Sequence, residues 1–222
     1  MLKKEDFAAM TDLACVKTNT TIKELEKMTE LANRWDFIGI YALPAHNEYI
    51  KQRLKADSST FIGGAVGFPS GGISTAMKIR ETRELIGFGC GEIDMVINQT
   101  WLKAGMEKEY TEDIAGVVKA AGGKIVKVII EVGYLTDEEI YKASKLAAEA
   151  GASFIKTATG WPETGADFNN IKIIDRALSG TGCGIKAAGG IRDAETAVKM
   201  IELGATRFGC SLGSAEAIIE SL

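Results

Sequence analysis

Short β-branched or apolar runs alternate along the chain with longer segments whose apolar residues recur at helical spacing, and the alternation repeats eight times. The runs predict strands over 13–16, 37–43, 60–66, 92–97, 124–132, 153–158, 184–188 and 207–211, each followed by a helix. The clearest helical segments, 21–34, 73–87, 137–150, 193–203 and 214–221, are rich in Ala, Glu, Lys, Leu and Ile. Thr136 and Glu139 have the spacing of a capping box, which sets a helix start there. Gly89, Gly151 and Gly204 each close a helix and stand five residues before Asp94, Lys156 and Gly209. A glycine helix stop followed by equal spacing delivers those later residues to similar heights on their strands. Alternating β and α units imply parallel strands joined by right-handed crossovers. Eight units favour a closed (β/α)₈ TIM barrel occupying residues 1–222 as a single domain, with a doubly wound open sheet as the structural rival.

Composition narrows the function more than the fold. The chain has 222 residues, 26 Lys and Arg against 30 Asp and Glu, and a net charge of −4. Nothing in that balance draws the whole surface to nucleic acid or to anionic lipid, so any anion site must be local. The stretch 58–77 is long and uncharged, but five glycines, Pro69 and several serines make it a strand and loop and not a membrane span. Cys15, Cys90, Cys183 and Cys210 are scattered, form no CxxC pair and have only His46 as a further soft ligand, so they read as reduced thiols, and no metal or other cofactor is expected. The opening MLKKEDFAAM puts acidic residues where a signal peptide needs an apolar core, which points to the cytoplasm.

The chemistry lies in charges that interrupt apolar strands. Strands of a parallel barrel are covered on both faces and should be apolar. Instead EIDMVIN carries Asp94, KVIIEV carries Lys127 and Glu131, FIKTATG carries Lys156 and GIKAAGG carries Lys186. A purely structural ion-pair network with Asp94 and Glu131 would account for them. The functional reading uses the repulsion: two ammonium groups on adjacent strands depress one another's pKa, and burial depresses it further. A neutral amine can then attack a carbonyl and form a Schiff base, the electron sink for making or breaking a carbon–carbon bond. The second lysine, with Asp94, can move protons through a water.

A second signal comes from the last two βα loops. Ala188-Gly189-Gly190-Ile191-Arg192 and Gly209-Cys210-Ser211-Leu212-Gly213 place glycines where such barrels bind phosphate on backbone N–H groups. Gly63, Gly64, Gly67, Gly71 and Gly72 suggest a third loop at the site. His46 reads as a surface residue. Trp35, Trp101 and Trp161 read as packing residues, with Trp161 near enough to Lys156 in sequence to touch a substrate.

Taken in order, MTDLACVK, GFPSG, EIDMVIN, KVIIEVGYLTDEEI, FIKTATG, GIKAAGGIRD and GATRFGCSLG resemble the deoxyribose-phosphate aldolase family over nearly the whole chain. The resemblance implies a Schiff base on Lys156, with Lys186 perturbing its pKa and Asp94 joining the proton relay. It further implies that Asp12 and Lys127 are polar active-site positions, that Thr159 and Gly160 form the loop beside the reactive lysine, and that Gly189, Gly190 and Ser211 cradle phosphate. The implied reaction is reversible cleavage of 2-deoxy-D-ribose 5-phosphate to glyceraldehyde 3-phosphate and acetaldehyde by a homodimer that needs no metal.

Three positions depart from the family pattern where substrate would lie. Tyr41 stands in place of a small Cys, Ala158 in place of the Ser of KTSTG, and Leu212 in place of a second Ser of the phosphate cradle. Two other readings stay open on the residues alone. A phosphosugar isomerase could pair Asp12 with Cys210 or Asp94, although it leaves the two lysines unexplained, and a barrel could keep its fold without activity.

Overall fold

The computed structural model describes residues 2–222. Eight parallel strands form a closed barrel in sequence order, with the last strand pairing with the first. They are β1 (Thr11–Cys15), β2 (Gly39–Ala42), β3 (Phe61–Val66), β4 (Glu92–Val96), β5 (Val126–Ile129), β6 (Phe154–Lys156), β7 (Gly184–Ala188) and β8 (Arg207–Ser211). The surrounding helices are α1 (Lys4–Ala9), α2 (Ile22–Trp35), α3 (Asn47–Lys51), α4 (Thr75–Phe88), α5 (Gln99–Lys103), α6 (Glu107–Ala120), α7 (Asp137–Glu149), α8 (Phe168–Leu178), α9 (Ala194–Glu202) and α10 (Leu212–Ser221). Among the described residues no helix is long and apolar enough to cross a membrane.

Side chains alternate across each strand, so one set faces the helices and the other the barrel axis. The outward set, including Leu13, Ile40, Ile93, Val128, Ile155, Ile185 and Phe208, is buried against the helices and forms the apolar core. On α2 the buried residues Leu25, Met28, Thr29 and Ala32 recur at helical spacing. The capping box is present at Thr136 and Glu139, and two more begin α2 (Thr21 with Glu24) and α8 (Asp167 with Asn170). Gly89, Gly151 and Gly204 all adopt left-handed backbone, with φ of 104°, 96° and 106°.

The boundaries differ from the apolar runs for local reasons. Strand β5 stops at Ile129 and not at 132, because Glu131 takes left-handed backbone and turns the chain into a short 3₁₀ turn, Val132–Tyr134. Strand β6 stops at Lys156, and the Thr157 hydroxyl takes over the pairing by donating to the Ala188 carbonyl (2.7 Å) and accepting from its N–H (2.9 Å). Helix α10 starts two residues early because the Ser211 hydroxyl accepts from the Ser214 N–H and caps it. Helices α1 and α5 are short additions that no periodicity announces, and the helix expected after β2 is the short α3.

One buried ion pair braces β4 from outside. Lys78 on α4 donates to Asp113 on α6 (2.6 Å) and to the Val96 carbonyl (2.9 Å), while Thr75 donates to the other carboxylate oxygen (2.7 Å). Every partner in this cluster is satisfied, the condition under which a buried charge is tolerated.

Candidate active site

Inside the barrel, large side chains sit opposite glycines. A Cβ on Gly39 would lie 2.5 Å from the Phe61 ring and one on Gly184 would lie 2.6 Å from the Phe154 ring. A Cβ on Gly63 would overlap the ring of Tyr41. Phe61 and Phe154 thereby floor the barrel, and the space above them is filled by charge.

Three carboxylates, Asp12, Glu92 and Asp94, meet four cations, Lys127, Lys156, Lys186 and Arg207. The pairing is graded. Lys127 reaches all three carboxylates, at 2.7, 2.5 and 3.2 Å, and the Tyr41 hydroxyl at 2.7 Å. Lys186 reaches two, Asp12 Oδ2 at 2.5 Å and Asp94 Oδ2 at 2.7 Å. Lys156 reaches one, Asp94 Oδ2 at 2.8 Å. Exposure runs in step, at 0% for Lys127, 1% for Lys186 and 8% for Lys156. Lys156 is therefore the least tethered and the most accessible of the three amines.

Burial and this uneven pairing push the groups in different directions. Burial opposes the charge on Lys127, but Asp12, Asp94 and Glu92 outweigh it and raise the pKa. For Lys186 burial wins, helped by Lys127 and Lys156 and opposed by Asp12 and Asp94, and the pKa falls to about 8. Burial alone would raise Asp94, but Lys127, Lys156 and Lys186 hold it well below the ordinary carboxylate range, and Asp12 is lowered in the same way. Both carboxylates are therefore fixed anions. Burial pushes the Cys210 thiol up to about 12, so it offers no thiolate to an enediol mechanism.

A cavity of about 710 Å³ opens above this network at the C-terminal end of the strands, where such barrels carry their chemistry. Asp12, Tyr41, Asp94, Lys156 and Lys186 form its base. Gly189 and Gly190 form part of its wall with φ of 80° and 84°, a backbone only glycine adopts freely. Ser211 and the first residues of α10 form the adjoining wall. The start of α9 is already occupied, since the Asp193 carboxylate accepts from the Thr196 N–H at 2.7 Å. Helix α10 is capped only by the neutral Ser211 hydroxyl, so its positive end remains available to an anion.

On the opposite rim, Glu131 accepts from the Thr159 N–H (3.1 Å) and the Thr159 hydroxyl, fixing the loop after Lys156. Burial raises the Glu131 pKa against the pull of those two bonds. Lys17 donates to the Gly160 carbonyl (2.5 Å) and Trp161 Nε1 to the Val16 carbonyl (3.0 Å), which ties the loop after β1 to the loop after β6.

A family model for "DeoC/LacD family aldolase" matches residues 7–216. The chain belongs to the DeoC/LacD family of aldolases. Over 217 residues it is 43% identical to a deoxyribose-phosphate aldolase of Carboxydothermus hydrogenoformans, covering 96% of this chain and 94% of that one. It is 42% identical over 208 residues to the corresponding enzyme of Staphylococcus haemolyticus, covering 94% of each chain. Among solved structures, the aldolase QR15 superposes with a TM-score of 0.88 at 31% identity, covering 99% of this chain and 96% of that one.

Of the positions singled out in the sequence of this aldolase, Asp12, Asp94, Lys156, Lys186, Thr159, Gly160, Gly189, Gly190 and Ser211 all border the one cavity. Lys127 does not: it lies beneath the base, fully buried by Asp12, Glu92, Asp94 and Tyr41. Glu131 also falls outside the ion network, because the turn at its own backbone carries it to Thr159. Glu92 and Arg207 were missed. Each stands two residues before a site position, Asp94 and Gly209, and the period of two along a strand is the signal that places them on the same inner face.

Proposed function

We propose that this chain cleaves 2-deoxy-D-ribose 5-phosphate reversibly to D-glyceraldehyde 3-phosphate and acetaldehyde, with Lys156 as the nucleophile. The observation that carries the reading is the graded pairing of the three lysines, which leaves Lys156 held by one carboxylate oxygen at the base of a cavity. The family relatives, named for this reaction, supply the substrate.

Nζ of Lys156, as the free amine, adds to the C1 aldehyde; the carbinolamine hydroxyl leaves as water on a proton given by the Lys186 ammonium, and an iminium remains while Lys186 becomes neutral. A base removes the proton of the C3 hydroxyl, the C2–C3 bond breaks, and its electron pair moves toward the iminium nitrogen. C3 leaves as the aldehyde of glyceraldehyde 3-phosphate and C1–C2 remains as an enamine. Protonation of C2 and hydrolysis of the iminium release acetaldehyde and restore the amine. Lys186 is the proton acceptor we assign, because its amine is substantially neutral near pH 8 and shares Asp94 Oδ2 with Lys156. Asp94 remains ionised and keeps both amines in place. Asp12 holds Lys186 from the other side, and Lys127 supports both carboxylates from below. Thr159 and Gly160 form the rim beside the nucleophile, and Gly189, Gly190, Ser211 and the start of α10 receive the phosphate.

The test is borohydride reduction in the presence of 2-deoxyribose 5-phosphate, and separately of acetaldehyde, followed by peptide mapping. A reduced adduct on Lys156 is the expected result. An adduct confined to Lys186, or none on folded protein that nevertheless turns the substrate over, refutes the assignment. Sedimentation of the same sample tests the homodimer that the family resemblance implies.

A further inference from the structure

We infer that Tyr41 is a specificity-determining residue that limits the carbonyl donor to two carbons, a role that rests on the Lys156 iminium proposed above. Three observations converge on this residue. Its ring is buried at the base of the cavity and stands over all three lysines, with the nitrogens of Lys186, Lys127 and Lys156 at 4.6, 4.9 and 6.0 Å from the ring centroid. The ring is fixed in that place: its hydroxyl accepts from Lys127 at 2.7 Å, and the Phe61 ring meets it edge-on at 6.3 Å between centroids. The barrel is also cut to receive it, since any side chain at Gly63 would overlap the ring.

The position of the ring sets what can grow from Lys156. Carbon atoms make their best contacts at about 3.5–4.0 Å. On this proposal the donor carbon bonded to the Lys156 nitrogen, which lies 6.0 Å from the ring centroid, and the carbon after it extend toward the ring and reach contact with it. Acetaldehyde ends there. Propanal carries one more methyl on the carbon that becomes nucleophilic, and acetone carries it on the iminium carbon. Tyr41 cannot withdraw to admit that methyl, because Gly63, Phe61 and Lys127 close the space behind and beside it. Removing the ring opens a pocket lined by Gly63 and Ala65 beside the nucleophile.

The experiment measures trapping on Lys156 in the full chain. The aldehyde or ketone and the amine lose water to form the iminium, and hydride from borohydride adds to its carbon to leave a secondary amine that peptide mass identifies. Acetaldehyde, propanal and acetone are compared in the wild-type protein and in Tyr41→Cys, Tyr41→Leu and Tyr41→Phe, and the readout is the ratio of the larger donors to acetaldehyde. Tyr41→Phe keeps the ring and is expected to keep the wild-type ratio. Tyr41→Cys and Tyr41→Leu are expected to raise it about tenfold or more, the discrimination that one methyl group sustains in an apolar pocket. Tyr41→Leu retains apolar volume over Gly63 and carries the test if Tyr41→Cys does not fold. A ratio unchanged in a folded variant lacking the ring, or raised equally in Tyr41→Phe, overturns the inference. Failure of the wild-type protein to trap acetaldehyde on Lys156 overturns instead the iminium assignment on which the inference rests.

Discussion

Replacing Asp12 by Asn tests the electrostatic account of the site. Asp12 Oδ2 lies 2.5 Å from the Lys186 nitrogen, and it heads the charges that hold that amine's pKa up against burial. Coulomb's law at an effective dielectric of about 20 gives about 7 kcal/mol for unit charges at this separation. That figure is a ceiling, because Asp94 Oδ2 still faces the amine at 2.7 Å and the amide oxygen of the replacement can still accept a hydrogen bond. Opposite charges at such range move a pKa by about 1–3 units, and here the removal acts downward. If Lys186 must be neutral to accept a proton, kcat/KM for cleavage rises with pH through the Lys186 pKa, about 8 in the wild-type protein. In Asp12→Asn the midpoint of that rising limb falls by about 1–3 pH units. The assay is the pH profile of kcat/KM on 2-deoxyribose 5-phosphate, with released acetaldehyde followed by a coupled reduction. A midpoint that stays near its wild-type position, or moves upward, in a folded and active variant refutes the assignment of Lys186 as the titrating base.

Other substitutions probe separate parts of the molecule. Lys156→Ala removes the nucleophile but leaves Asp94 paired with Lys127 and Lys186, so turnover is expected to vanish while circular dichroism and the unfolding midpoint stay near wild type. Substantial turnover would show that the chemistry uses another amine. Lys78→Met strands the Asp113 carboxylate in the interior between α4 and α6, a loss of about 3–5 kcal/mol. Adding Asp113→Leu should recover most of it, and denaturant unfolding of the single and double variants closes the cycle. Ser211→Ala removes one donor and the cap of α10, and KM for 2-deoxyribose 5-phosphate is expected to rise about fivefold, roughly 1 kcal/mol. KM for unphosphorylated 2-deoxyribose should not change, and an equal rise for both sugars would place phosphate elsewhere.

The order of elements was legible because strand and helix periods differ and each helix end carries its own signal. Gly89, Gly151 and Gly204 are the plainest case, since all three close helices in left-handed backbone and the residues five positions on meet around one site. A Cβ at Gly209 would stand 3.1 Å from the Lys186 side chain and 3.8 Å from that of Lys156. Strand ends were not legible, because Glu131 and Thr157 end their strands by a backbone turn and a side-chain bond that no hydrophobic pattern records. Lys127 and Lys156 look alike in sequence, each a lysine within an apolar run. What separates them is how many carboxylates arrive from other strands, and that depends on the register of β1, β4, β5 and β6. Tyr41 stands out in the sequence only as a departure from the family pattern, because its meaning depends on Gly63, its neighbour across the β2–β3 ladder.

The charge count inside the barrel explains why this interior would be a poor choice for stability alone. Four cations, Lys127, Lys156, Lys186 and Arg207, face three carboxylates, Asp12, Glu92 and Asp94. Fully ionised, the set carries one positive charge too many in a space where unpaired charge is costly. Releasing one proton from a lysine balances it. Arg207 does not release one at any ordinary pH, and Lys127 is held protonated by three carboxylates. The missing proton therefore falls to Lys186, whose pKa burial brings down to about 8 and which shares Asp94 Oδ2 with Lys156. A neutral amine at the base of the cavity follows from the imbalance itself. On this account, adding a fourth carboxylate to the interior would abolish activity by restoring that proton, even with Lys156 untouched.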